Sequence, residues 1–497
     1  MGRRPEAQPE SNLLRATCVS NNVKVSTLPY LQIFMVSYLY QPVTGVSRTA
    51  VKTWARMWLL LRQTAMAVLA CVWLSPSIAS IAADSLDEAR AAYQQQKYEQ
   101  ALKLLDTVIG NGVGPPGALE LRIRTYLKLG QTDKAVEDYL RWADRRGADD
   151  IVLLRELTIQ VIGAAVTDMR EQMRGAAVTA LKEMGGAEAL PLLEKALADQ
   201  SGLVRALAVE GMARHGHADR SKRVRELVHD PAALVRVAAL RALGESGNRG
   251  VIPEIEPLLR DEQPRVKAAA GAALVALGRS EALPGVLELV KHPNPDERAS
   301  VLNILGHLKD NRVVPSLFGA LSDREATVRA TAAGILAERK EAGAAKALIP
   351  LLKDPTPLVR GVAATGLTKL QGAKAVPLVE PLLQETVPAV RAEVAAALLP
   401  FNPASADPVL REAMNSPDPG VRSTVAKHLG QAGNQAVPYL LDLLHDQTPR
   451  PRISAIRALG HVGNEKNVAV LKPILSDPDV AVRVTAAGAI GRLLNGL

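Results

Sequence analysis

The chain has 497 residues, of which only 3% are aromatic, and 32 prolines and 36 glycines break it at short intervals. This composition excludes a core filled by large rings and points to many short helices packed through small side chains. The formal charge of +9 comes from 60 basic and 51 acidic residues, but residues 1–82 hold eight of the basic and two of the acidic ones. The 52 and 49 that remain are nearly balanced, which argues against a nucleic-acid-binding surface.

Residues 1–56 show no helical periodicity and read as a non-native extension or a disordered tail. Residues 57–82 read as a signal peptide: Arg48, Lys52, Arg56 and Arg62 precede the apolar run Ala65–Leu74, and Ser80 and Ala82 fit the −3 and −1 positions of a cleavage site. Cleavage after Ala82 implies a periplasmic or secreted protein. An uncleaved leader implies one anchored to the membrane, though the apolar run is short of the ~20 residues that a span needs. Both cysteines, Cys18 and Cys71, lie in this region, so the rest of the chain offers no disulfide and no thiolate ligand.

Residues 84–147 read as two helical hairpins. Ala101 and Ala135 stand 34 residues apart, with Tyr126, Gly130 and Tyr139 around the second. This spacing resembles tetratricopeptide repeats, and the resemblance implies a module too short to stand alone, packed on the helices C-terminal to it.

From residue 160 to 497 one basic anchor recurs: Arg174, Arg205, Arg236, Lys267, Arg298, Arg329, Arg360, Arg391, Arg422, Arg452 and Arg483. Every step is 31 residues except one of 30 between Arg422 and Arg452. Six residues before the anchor an acid keeps the same beat (Asp168, Asp199, Asp230, Asp261, Asp323, Asp354, Glu385, Asp446, Asp477), with His292 and Ser416 as exceptions. Leucine recurs seven residues after the anchor, and a proline opens the other helix of each unit, as at Pro253, Pro377 and Pro438. Asp477 is expected to cap the helix that carries Arg483, with Val482, Ala486 and Ile490 as its buried stripe and glycines such as Gly430 and Gly460 ending such helices. The fold class is therefore all-α: an α-solenoid of about eleven 31-residue helical hairpins behind a tetratricopeptide-like module. An open arc of roughly 100 Å is expected from helix spacings of ~10 Å, with an apolar edge at Val482, Ile490, Leu493 and Leu494 left exposed at its end.

The unit Asp230…Val235-Arg236…Ala239-Leu240…Leu243-Gly244 resembles HEAT-like repeats of the phycobilin-lyase type. That resemblance implies a fold whose relatives range from bilin lyases to scaffolds. The Asp/Arg ladder occurs about ten times, so it reads as stacking structure rather than a site. No His-Glu dipeptide, phosphate-binding glycine loop or Gly-x-Ser-x-Gly motif occurs, so neither a metal, a cofactor nor a small-molecule substrate is expected. The functional surface is sought on the polar stripe two, five and nine residues after the anchor. There Arg241, Asn303, Thr365, Lys427, Arg457, His461 and Arg492 are the candidate partner-binding residues. The reading is a non-catalytic extracytoplasmic scaffold for a protein partner. The alternative is a bilin-lyase-like chaperone or enzyme acting on a protein-bound cofactor.

Overall fold

The computed structural model describes residues 84–110 and 114–495, and the predicted tail and leader lie outside them. Residues 82–497 form one unit. It opens with a helix through residues 84–94 (α1), followed by α2 (Tyr98–Ile109), α3 (Ala118–Lys128), α4 (Thr132–Arg146) and α5 (Ile151–Ala165). Ala101 and Ala135 are fully buried, as the close crossing of paired helices requires.

The repeats then alternate a long helix with a short one. The long helices are Glu171–Met184, Gly202–Arg214, Ala233–Glu245, Pro264–Ala276, Pro295–His307, Ala326–Glu338, Pro357–Gln371, Pro388–Leu398, Pro419–Leu429, Pro449–Val462 and Val480–Leu494, numbered as repeats 1 to 11. Each packs side by side on the next. Most of the short elements opposite them are four to seven residues of α-helix that run on into a 3₁₀ turn, and they fan apart. In four of these units a proline contributes. Pro257, Pro350, Pro381 and Pro473 have no N–H for an α-helical bond and open 3₁₀ segments instead. Long helices in contact and short elements splayed apart curve the array, with the long helices inside.

The curvature runs to closure, and the expected open arc is thereby corrected. The inner helix of repeat 11 packs on the inner helix of repeat 1 and on α5. The terminal edge is therefore covered: Val482 and Ile490 are fully buried and Leu494 is 4% exposed. Asn495 bonds the Met184 carbonyl and accepts from Arg155 Nη2 at 2.6 Å. Outside this seam, Lys472 Nζ donates to Asp149 at 2.6 Å. The last repeat lacks a polar cap because the first repeat is its cap. Eleven helices ~9–10 Å apart enclose an opening on the order of 20 Å between helix surfaces, wide enough for a polypeptide helix.

The ladder is structural, as expected, and its geometry is regular. Arg329 Nε and Nη2 donate to the two carboxylate oxygens of Asp354 in the next repeat at 2.8 and 2.9 Å, while Nη1 donates to the Asp323 carbonyl of its own turn at 2.8 Å. The same bridge joins Arg174 to Asp199, Arg205 to Asp230, Arg298 to Asp323 and Arg422 to Asp446, while Arg236 and Arg452 donate to Asp261 and Asp477 through Nη2 alone and Arg360 meets one oxygen of Glu385. The aspartate is not the N-cap predicted for it. Asp477 instead accepts the Asp479 backbone N–H at 2.8 Å, and Asp479 caps the helix. The guanidinium forks of Arg329 and Arg422 hold Asp354 and Asp446 below the usual carboxylate range, Asp446 at about 2. Of the anchor +8 glycines, Gly430 ends its helix as expected, but others do not end helices. Gly244 and Gly460 lie within them, where the next repeat approaches; a Cβ on Gly244 would stand 2.7 Å from the Ala273 Cα.

Two rungs are missing. Lys267 faces His292 in place of an acid, and an Arg265–Glu297 pair joins repeats 4 and 5 instead, with Nε to Oε1 at 2.9 Å. Arg391 faces Ser416 and reaches sideways to Glu412 at 2.8 Å. Each missing rung lies in a stretch of the ring that carries an inner-face cavity.

Candidate functional site

All seven predicted residues stand on the inner helices, and they divide among three places. Arg241 and Asn303 line a cavity of about 300 Å³ across repeats 3 to 5, walled by Ala269, Ala272, Ala273 and Ile304. Arg241 is already engaged, donating to Glu210 at 3.0 Å. Lys427, Arg457 and His461 share a second cavity of about 450 Å³ in repeats 9 and 10, and Arg492 stands on the next helix. Thr365 belongs to a third cavity, also about 450 Å³, spanning repeats 6 to 9 beside the second missing rung.

The third cavity holds the least ordinary chemistry. Glu393, two residues past its anchor, comes within 4.0 Å of His428 Nδ1, six residues past the anchor of the next repeat. The Thr365 hydroxyl donates to Glu393 Oε1 at 3.2 Å. Lys369, paired with Glu338, and Phe401 complete the wall. Burial drives both titrating groups toward neutrality. The Glu393 carboxyl is pushed up, and the His428 imidazole is pulled down to about 4, chiefly by desolvation and then by Lys427. At neutral pH the two are therefore a carboxyl with raised proton affinity beside a neutral imidazole, rather than a salt bridge. Such a pair can give and take a proton at one point of a ligand.

Glu393, at +2, stands on the predicted stripe but outside the seven candidates named from it, and His428, at +6, lies off the stripe, although a signal exists for both. The +2 position reads Ala176, Leu207, Ala238, Ala269, Ser300, Thr331, Val362, Glu393, Thr424, Ser454, Thr485, and Glu393 is its one charge. At +6, small or aliphatic residues fill ten of eleven places and His428 the other. Departures from the repeat, rather than its recurring stripe, mark this site.

The family model described as HEAT repeats matches residues 159–236, 221–302, 283–367, 345–414, 376–451 and 437–495. No curated protein matches the chain. Among solved structures, the CpcE–CpcF complex of phycocyanin lyase from a Nostoc species is 20% identical, with a TM-score of 0.34, over 46% of this chain and 94% of that one. Human deoxyhypusine hydroxylase in complex with glycerol is 19% identical, with a TM-score of 0.28, over 50% and 96%. A mutant of Kap121p is 12% identical, with a TM-score of 0.32, over 80% and 54%. The expectation of a non-catalytic protein is corrected by this set, because two of the three structures are named as enzymes and the architecture does not exclude catalysis. With its repeats matched from residue 159 to 495, the chain belongs to the HEAT repeat family.

Proposed function

We propose that the ring holds a protein partner against its inner face and that Glu393 and His428 move a proton on a group which that partner carries. The observation that carries this reading is the Glu393–His428 pair itself. It occurs once in eleven repeats, is largely buried, and opens on a cavity of about 450 Å³ on the side that faces the ring interior. A structural pair would be repeated like the ladder, and a buried carboxyl without a full ion-pair partner costs stability that a site can justify. Thr365 fixes the carboxyl, and Phe401, one of three aromatic residues past position 150, offers a flat apolar wall.

The test uses the absence of cysteine beyond residue 71. A single cysteine replacing Gln431, exposed in the cavity wall, or Glu288, exposed on an outer helix, is coupled to a short cross-linker in cells that make the protein. A discrete protein adduct from the inner position alone is expected. Glu393→Gln and His428→Gln should trap the same partner with a different intact mass, because the group is left unprocessed. Equal adducts from both positions, or identical masses from wild type and variants, would overturn the proposal. The working compartment is proposed to lie outside the cytoplasm, supported by the leader pattern of residues 57–82. Amino-terminal sequencing of native protein should begin at Ala83, and a chain retaining residues 1–56 contradicts it.

A further inference from the structure

The seam where the ring closes gathers cations. Arg214 ends the inner helix of repeat 2, Arg457 and His461 lie in the last turns of repeat 10, and Arg492 is in the last turn of repeat 11. Around them stands one carboxylate, Glu183 of repeat 1, whose Oε1 is 3.3 Å from Arg457 Nε. Among the described residues neither Arg214 nor Arg492 has a carboxylate within 4.0 Å, so three guanidinium groups share one negative charge. Arg492 Nη1 and Arg457 Nε are closed off from solvent and donate to nothing; the Glu183 oxygen near Arg457 is out of line with its N–H.

Helix ends explain part of this. All the inner helices point the same way, and a cation in the last turn gains ~0.3–1 kcal/mol from the helix dipole. That gain neither satisfies a buried N–H nor offsets the mutual repulsion of cations on neighbouring helices. The repulsion is visible in the Arg492 guanidinium, whose proton affinity is lowered by burial and then by Arg214. It is visible also in His461, lowered by burial and then by Arg492, Arg214 and Arg457. Elsewhere the ring balances its charges well: Lys182 and Arg241 share Glu210, and Lys369 takes Glu338. The imbalance at the seam is local.

We infer that the seam is an oxyanion site, built to take a phosphate- or carboxylate-bearing small molecule between Arg214, Arg457 and Arg492. Guanidinium forks match such groups in bidentate geometry. The adjoining cavity of about 450 Å³, between Lys427, Gln431, Ser454 and His461, has room for the rest of the molecule. Arg214 and Arg492 flank the inner helix of repeat 1 on opposite sides, so an anion held by both ties repeat 11 to repeat 2. Binding at the seam therefore also holds the ring shut. The inference does not rest on the Glu393–His428 pair, although the two cavities adjoin, with Gln431 lining both.

The experiment monitors thermal unfolding of the full chain with chloride, inorganic phosphate or citrate, at one matched ionic strength near 0.15 M so that screening is constant. Phosphate and citrate also stabilise proteins generally. The site is read as a saturable rise in Tm that Arg260→Gln, on an exposed outer position, retains. Saturation at lower phosphate than citrate assigns a phosphate ligand, and the reverse assigns a carboxylate. Arg492→Gln and the exposed Arg214→Gln should each weaken half-saturation at least tenfold, while their Tm in chloride stays at or above that of wild type. If neither anion gives a saturable rise, or if both variants keep it unchanged, the site does not exist. Should Arg492→Gln fail to fold, Arg214→Gln alone decides the question.

Discussion

Gly488, in the inner helix of repeat 11, lies with its bare Cα against Ala180 of repeat 1; a Cβ placed there would come 2.8 Å from the Ala180 methyl. Between ordinary neighbours the close approach uses another pair, the +8 glycine and the +6 alanine of the next repeat, as in Gly460 against Ala489. At the seam the glycine stands at +5. The last helix therefore meets the first about one turn out of the register that the other joints keep, and the closure is a distinct joint.

Gly488→Leu should break that joint selectively. Overpacking of this kind costs ~1–3 kcal/mol, and the strain is relieved by opening. Small-angle scattering is expected to show a larger radius of gyration for the variant than for wild type. Gly285→Leu, at an outer position with open space around it, should change nothing. A wild-type protein that scatters as an open arc contradicts the closed ring.

The ladder should respond unevenly to truncation. Arg360→Ala strands Glu385, itself 5% exposed at the side chain, and two turn carbonyls, so a loss of ~3–5 kcal/mol is expected by chemical denaturation. Lys267→Ala removes an anchor whose rung is missing and should cost no more than ~0.5 kcal/mol. Equal losses would mean that the rungs do not carry the stacking.

The Glu393–His428 pair predicts opposite pH signatures. The folded state raises the Glu393 proton affinity, so folding works against this group once pH exceeds its ordinary value of 4.5. Glu393→Gln keeps an acceptor for Thr365 and removes the charge, and should raise Tm at pH 7 to 8. His428 is depressed from 6.5 to about 4, so stability is lost as pH falls through that interval. His428→Gln should unfold less steeply than wild type between pH 6.5 and 4. Parallel curves for wild type and variant contradict the burial of an uncharged imidazole.

Much of the fold is legible in the sequence because a repeat states its own rules eleven times. The anchors, the acids that answer them and the inner stripe at Arg241, Thr365 and Lys427 all come from one period. Closure is not legible. It depends on the angle at each joint, set by pairs such as Gly244 and Ala273 and by the 3₁₀ turns at Pro257 and Pro381, and small angles summed over eleven joints decide between arc and ring. The bare end at Leu493 and Leu494 reads as an exposed edge in the sequence, whereas it is the clue to closure. The Glu393–His428 pair is hidden for the opposite reason, since a search for what repeats passes over what occurs once.

Closure also turns a length into a count. An open solenoid can gain or lose a unit without disturbing the rest, because each repeat touches only its neighbours. In a ring, each of eleven joints turns the chain by about 33°, and removing one unit would require every remaining joint to bend about 3° further or leave a gap one helix wide, ~10 Å. Repeats that look interchangeable in sequence are thus not dispensable singly. The single 30-residue step between Arg422 and Arg452 shows that a unit tolerates a change of length within itself while the number of units stays fixed.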